Sequence, residues 1–261
     1  MDLQLQDKVV LVTGGSKGIG EGIVRTFMAE GASVVNVNRS TEEGEALEAE
    51  YAALGKSCVF IQGDLCDVEV CARVVKATVD RFGRLDVLVN NAGVNDSVGL
   101  DAGPDAFVAS LGRNLIHFYA MVHHALDALK ATRGNIVNIG SKVSVTGQGG
   151  TSGYAAAKGG VNALTREWAV DLAPHGIRAN AVIPAETWTP LYEKWLASLA
   201  DGQATKAQIE RLIPLGHRFT TTKEMGDMVV FLASSRSSHT TGQIIFVDGG
   251  YTHFDRKVSS R

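Results

Sequence analysis

Tyr154 and Lys158 stand four residues apart in the stretch SGYAAAKGG, and Ser141 lies thirteen residues before the tyrosine. On a helix, positions i and i+4 share a face, so this spacing predicts that the phenol and the ammonium point into one site. A tyrosine hydroxyl titrates near pH ~10 in isolation, and a nearby cation favours the phenolate. A phenol tuned in this way removes a proton from an alcohol, or returns one to a carbonyl. A serine hydroxyl beside it would hold the substrate oxygen. Alone, the pair also describes an ordinary exposed helix face, so the surrounding elements have to decide.

Those elements alternate between short β-branched runs and longer amphipathic stretches. Strands are predicted at Val9–Thr13, Ser33–Asn38, Ser57–Gln62, Leu85–Asn90, Asn135–Ile139, Ile177–Ile183 and Gln243–Val247. The helices between them begin and end on recognisable signals. Ile19–Glu30 stops at Gly31, residues 42–55 end in Gly55, and Asp67 caps a helix that reaches Phe82 before Gly83. One long helical region is predicted from Pro104 to Lys130, with Pro104 in its first turn. The Tyr154–Lys158 helix is predicted over Gly153–Ala173, ended by Pro174 and Gly176. Residues 185–222 are less regular, with short amphipathic pieces at Leu191–Leu199 and Lys206–Leu212. A helix over Lys223–Ala233 precedes the last strand. Near-continuous apolar strands alternating with helices imply an α/β fold with a parallel sheet covered on both faces. The expectation is one domain over residues 1–261, with 185–222 as a lid over the substrate.

The chain has 261 residues, with 45% hydrophobic and 20% charged side chains, an ordinary globular balance. A formal net charge of −3 gives no reason to expect a nucleic-acid partner. No apolar run approaches the ~20 residues of a membrane span, and the N-terminus lacks the pattern of a signal peptide. The three cysteines, Cys58, Cys66 and Cys71, suit a reducing, cytoplasmic compartment without disulfides; Cys66 and Cys71 are read as small buried side chains. His117, His123 and His124 lack a carboxylate partner and are read as packing or surface residues, so no metal site is expected. Trp168 is read as packing, and Trp195 falls in the lid.

Between the first strand and first helix lies TGGSKGIG. Its glycines would let the backbone approach a ligand, and the helix N-terminus behind them favours an anionic pyrophosphate. Gly14, Ser16, Lys17, Gly18, Ile19 and Gly20 are therefore candidate cofactor contacts. At the end of the second strand, where a carboxylate would read an adenosine ribose, stand Asn38 and Arg39. Asn38 does not repel a 2′-phosphate, and Arg39 could grip one in a bidentate fork, with Lys17 adding a second positive charge. This favours NADP over NAD. Asp64 and Leu65 end the third strand, where the carboxylate could accept from an adenine amino group. Asn91, Ala92 and Gly93 end the fourth, leaving room for a flat ligand.

Taken in order, TGGSKGIG, NNAG, Asn114, Ser141 and YAAAK resemble the short-chain dehydrogenase/reductase family over nearly the whole chain. The resemblance implies a Rossmann-type doubly wound sheet of about seven strands and a bound nicotinamide cofactor. It implies Tyr154 as acid/base, with Lys158 lowering its pKa and bonding the nicotinamide ribose. Ser141 would orient the substrate oxygen, and Asn114 would keep a water-linked proton path to Lys158. Pro184, Thr187 and Thr189 follow the sixth strand where the family contacts the cofactor, although Pro184-Ala185 stands in place of the family's Pro-Gly. A homotetramer built on the Tyr-Lys helix and the last strand is also implied.

The substrate is expected to be small and rich in hydroxyls. Ser144, Thr146, Gln148, Thr151, Ser152, Glu186 and Thr187 crowd the predicted entry, and each buried polar group left unpaired would cost about 1–3 kcal/mol. Ser141, Gln148, Tyr154, Glu186 and Trp188 are the candidate substrate contacts. The WTPLY and TGQGGTSGY stretches also resemble the family's sugar dehydrogenases, in particular those oxidising L-fucose and related aldoses to lactones. The alternatives are a 3-oxoacyl-acyl-carrier-protein reductase, and a nucleotide-binding protein without catalysis.

Overall fold

The computed structural model describes residues 1–253; the expected domain also takes in residues 254–261, which lie outside the described residues. Seven strands are present: β1 (Val9–Thr13), β2 (Ser33–Asn38), β3 (Cys58–Gln62), β4 (Val87–Asn90), β5 (Asn135–Ile139), β6 (Arg178–Pro184) and β7 (Ile244–Val247). They form one sheet in the order β3-β2-β1-β4-β5-β6-β7, and each neighbouring pair is parallel. The chain moves outward from β1 to β3, then crosses to the other side for β4. Ligands bind at such a reversal, outside the carboxyl ends of the strands.

Alternation along each strand assigns its side chains to two cores. In β1, Val10 and Val12 face α1 (Gly18–Ala29), α2 (Thr41–Ala53) and α9 (Thr222–Ala233). Leu11 faces the other layer, built from α3 (Val68–Phe82), α5 (His117–Thr132) and α6 (Ser152–Asp171). Phe27 and Phe118, fully buried in opposite layers, each contribute about 1.5–3 kcal/mol. Trp168 packs in the α6 layer, as expected. Asp67 accepts from the Glu69 amide at 3.0 Å, so the predicted cap of α3 is present.

One segment departs from expectation. The helical region from Pro104 is not one helix: α4 (Pro104–Leu111) and α5 are joined by a widened π-type turn over Gly112–Ile116. Such turns recur at functional sites, and this one carries Asn114. A single widened turn shifts the helical phase without interrupting the helical stretch, so the sequence reads as one helix. The stretch 185–222 holds α7 (Pro190–Ala197) and α8 (Gly202–Leu212), where short amphipathic pieces were expected at Leu191–Leu199 and Lys206–Leu212. Both helices are largely exposed, so each shows only a short amphipathic pattern. Thr189 caps α7, accepting from the Tyr192 amide at 3.2 Å. No described helix is long and apolar enough to cross a membrane.

Candidate active site

The turn after β1 is held by side chains from its neighbours. Asn36, in the middle of β2, accepts from the Gly15 amide at 2.9 Å and donates to Ser16 Oγ at 2.6 Å. Asn91 donates to the carbonyls of Thr13 and Gly14 at 2.9 and 3.0 Å. Thr13 Oγ1 accepts from the Asn91 and Ala92 amides. Asn91 thus braces the loop as well as lining the cavity beside it. Asn36 escaped the sequence reading, although a lone amide within the apolar run SVVNV was its signal. At Gly20 the packing is closest: an added Cβ would lie 2.0 Å from the Gly14 carbonyl oxygen. Gly20→Ala is therefore expected to cost about 1–3 kcal/mol, the usual range for overpacking, and to weaken dinucleotide binding. Thermal unfolding with and without cofactor checks both effects.

A cavity of about 500 Å³ runs along the carboxyl ends of the central strands, from Asn38, Arg39 and Asp64 to Tyr154 and Lys158. All the predicted cofactor residues line it except Thr187. Thr187 instead forms a bridge with Thr220 and is buried, with Oγ1 unpaired among the described residues. The Asn38 amide nitrogen donates to Ser16 Oγ at 2.5 Å, while its Oδ1 is buried without a partner among the described residues. Lys17 is not the free cation expected. It pairs with Glu43, and this bond holds the Glu43 carboxyl below its ordinary range. Arg39 stays largely exposed, with Nη1 3.9 Å from Asp64. Cys66 is exposed at this end of the cavity rather than buried, because it follows the open turn at Asp64; Cys58 and Cys71 are buried and all three are free.

Arg113 and His117 also line the cavity, which the sequence did not indicate. The π-type turn between α4 and α5 shifts the helical phase, so their face cannot be counted forward from α4. His117 is buried, its pKa pushed down to about 4 by that burial, and Nε2 lies 3.0 Å from the Arg113 carbonyl. The ring is therefore neutral, with the hydrogen assigned to Nε2.

At the other end, α6 is fixed to the sheet by a polar chain. Asn90 donates to Asn138 at 3.0 Å, and Asn138 donates to Thr165 of α6 at 2.9 Å. This sets the helix so that Tyr154 and Lys158 both face the cavity. The Lys158 ammonium donates to the Ile139 carbonyl at 2.8 Å and lies 5.6 Å from the Tyr154 ring centroid. Asn114 Oδ1 accepts from the Val94 amide at 2.7 Å, and its amide donates to the Ser110 carbonyl at 3.1 Å. A Cβ on Gly93 would lie 3.0 Å from Asn114 Oδ1 and 3.5 Å from Lys158 Nζ, so glycine leaves these groups open to one space. Ser141 sits in a turn braced by Ser144, which donates to the Ser141 carbonyl at 2.7 Å and accepts from Asn162 at 2.8 Å.

Burial dominates the electrostatics here. It pulls Lys158 down to about 7 and raises the Tyr154 phenol above its ordinary value, with a hydrogen bond to Ser141 acting in the opposite direction. The expected lowering of Tyr154 by Lys158 does not appear: burial and the Asp96 charge raise the phenol, and only the Ser141 hydrogen bond opposes them. An ammonium stripped of water is itself reluctant to carry charge.

A family model described as enoyl-(acyl carrier protein) reductase matches residues 14–252. L-fucose dehydrogenase of Mus musculus is 39% identical over 254 residues, covering 97% of this chain and 91% of that protein. The 3-oxoacyl-(acyl-carrier-protein) reductase of Thermotoga maritima is 36% identical over 251 residues, covering 95% and 99%. The crystal structure of Cj0485 dehydrogenase superposes with a TM-score of 0.93 at 41% identity, covering 99% of each chain. This chain belongs to the short-chain dehydrogenase/reductase family.

As a short-chain dehydrogenase/reductase it is an oxidoreductase acting on CH–OH groups, and its family implies a nicotinamide cofactor. The residues present fit that group. Gly14 and Gly18 adopt φ of 67° and 56°, conformations that keep side chains away from the N-terminus of α1. The unpaired Oδ1 of Asn38 is an acceptor suited to a ribose hydroxyl.

The predicted substrate residues of this dehydrogenase are scattered more widely. Gln148 is exposed on its loop. Trp188 packs edge-on to Phe219 at 5.2 Å, with the Lys206 ammonium 4.7 Å from its ring centroid, and does not line the cavity. Glu186 is buried and engaged by Lys142 and by Tyr192, whose hydroxyl donates to it at 2.6 Å. Trp195 contacts Tyr192 at 5.3 Å and is exposed on its other side.

Proposed function

We propose that this enzyme oxidises an aldose of the L-fucose type to its lactone, with NADP preferred to NAD. The observation that carries the reading is the polar cluster that begins at the residue after Ser141, in which Lys142 and Tyr192 both bond the Glu186 carboxylate. Near-full-length similarity to an L-fucose dehydrogenase supports it. In this reading Ser141 holds the anomeric hydroxyl, and the Tyr154 phenolate takes its proton. The bound nicotinamide supplies the hydride acceptor for C1. Lys158 binds the nicotinamide ribose and favours the phenolate, and Asn114 holds the turn that keeps a path for the proton open behind it. A panel of aldoses assayed with each cofactor tests the proposal. Turnover of a 3-oxoacyl thioester with none of any aldose would refute it. That outcome would favour the second reading, a 3-oxoacyl thioester reductase, which the Thermotoga maritima relative and the family description support. A protein without catalysis is set aside by the family assignment.

The NADP preference rests on the neutral Asn38 and the exposed Arg39. Lys17 adds little while Glu43 neutralises it. Asn38→Asp is expected to raise the KM for NADP tenfold or more and to lower that for NAD, because a carboxylate accepts from both ribose hydroxyls and repels a 2′-phosphate. An unchanged KM ratio would count against the assignment.

We also propose a cytoplasmic, single-domain protein in which residues 185–222 form the substrate-binding segment, assembled as a homotetramer. The free cysteines fit a reducing compartment. The edge strand β7 is only half-buried, and Val170 on α6 is 74% exposed, so both expected interfaces present apolar surface. Light scattering after size exclusion tests the assembly.

A further inference from the structure

The polar cluster beside Ser141 is organised around one carboxylate. Lys142 follows Ser141 directly, in the turn that positions the serine. Its ammonium pairs with Glu186 and lies 4.4 Å from the Tyr251 ring centroid. The other oxygen of Glu186 accepts from the Tyr192 hydroxyl at 2.6 Å. Four segments therefore meet at this ion pair: the Ser141 turn, the residues just after β6, the helix α7 and the stretch after β7.

Stability is a poor reason for this arrangement. The Lys142 and Glu186 side chains are only 18% and 9% exposed, and replacing such a buried pair by apolar groups is often neutral or stabilising by about 1–4 kcal/mol. The hydrogen-bond inventory gives a better one. An ammonium carries three donors. One serves Glu186, one face lies towards the Tyr251 ring, and no other acceptor meets it among the described residues. The Tyr192 hydroxyl spends its hydrogen on Glu186, which leaves its lone pairs able to accept. Burial, reinforced by Glu186, keeps Tyr192 a neutral phenol. A donor and an acceptor are thus held on the two oxygens of one carboxylate. Two neighbouring hydroxyls of a sugar, one accepting and one donating, match that pattern.

We propose that Lys142 and Tyr192, oriented by Glu186, form a subsite that binds hydroxyls of a polyhydroxylated substrate away from the carbon that reacts at Ser141 and Tyr154. The inference rests on the aldose reading and deepens it. The subsite belongs to specificity: it selects among alcohols without touching the reacting atoms. The Ser141 turn and α7 are joined through it, so substrate hydroxyls also bear on how the segment 185–222 sits against the catalytic serine.

The test is a cycle between residue and substrate hydroxyl. The kcat/KM of the wild type is measured for the best aldose and for its monodeoxy analogues at each position beyond C1. The same series is run on Tyr192→Phe, which removes one oxygen and keeps the ring, and on Lys142→Met. Deleting one of the distal hydroxyls should cost the wild type tenfold or more, while the same deletion costs either variant less than threefold. A variant that loses equally on every substrate would show a merely structural role and overturn the subsite. So would variants that behave as the wild type. If the wild type oxidises no aldose at all, the aldose reading itself fails. Should Lys142→Met not fold, Tyr192→Phe decides alone.

Discussion

Tyr154→Phe should lower kcat by about 10²–10⁴-fold, the range that a positioned acid/base contributes, while cofactor affinity changes little. The phenol oxygen is the one group removed, and the ring that lines the cavity stays. The pH profile adds a second readout. Oxidation needs the phenolate, and burial raises the pKa of Tyr154 in the ligand-free protein. Wild-type oxidation should therefore rise with pH as the tyrosine loses its proton, and fade as pH falls through that ionisation. The residual rate of the variant should lack this limb. Cofactor affinity is followed by fluorescence titration. Retained turnover with an unchanged profile would refute Tyr154 as the base.

Lys158→Met should abolish useful turnover and yet stabilise the cofactor-free fold. The lysine is buried, bonds one carbonyl, and has no carboxylate partner among the described residues. A fall from 10.5 to about 7 in its pKa corresponds to roughly 5 kcal/mol against the charged form. Methionine forfeits the bond to the Ile139 carbonyl, which costs about 1–3 kcal/mol if that oxygen is left unpaired. The balance favours the variant by on the order of 2 kcal/mol, or roughly 4–8 °C in Tm for a chain of this size. Linkage sharpens the test. Between about 7 and 10.5 the unfolded chain holds a proton that the native lysine has lost, so wild-type stability should grow as pH rises through that window. In Lys158→Met this contribution disappears. A variant less stable than wild type at pH 7, with the same pH slope, would overturn the account. The trade of stability for activity is common at such sites.

Much of the fold was legible along the chain because local rules agree with the global ones. The seven strands fall where β-branched runs lie, since strands covered on both faces of a parallel sheet must be apolar throughout. The helix ends at Gly31, Gly55 and Gly83 adopt φ of 80°, 68° and 71°, which is why glycine could be read as punctuation there. The glycine loop and the Tyr154–Lys158 pair were equally visible, because backbone approach and helical spacing are local demands. The turn carrying Asn114 was not visible, since one extra residue shifts the helical phase without interrupting the helical stretch. Nor were the bracing roles of Asn36 and Asn138, where a single amide within a strand gives no hint of its partner.

By itself, the sequence determined the layered sheet, the position of the glycine loop and the placing of Tyr154 and Lys158 on one helix face. Each follows from periodicity or from contacts within a few residues. Only the tertiary structure decided which charges are buried or paired and how the segment 185–222 is arranged. It paired Lys17 with Glu43, turned Trp188 against Phe219, and joined Lys142 to Glu186 across 44 residues of sequence. It also buried Lys158 until desolvation outweighed its role as a cation. These outcomes depend on which groups lose water and which distant partners replace it, and neither is encoded in spacing along the chain.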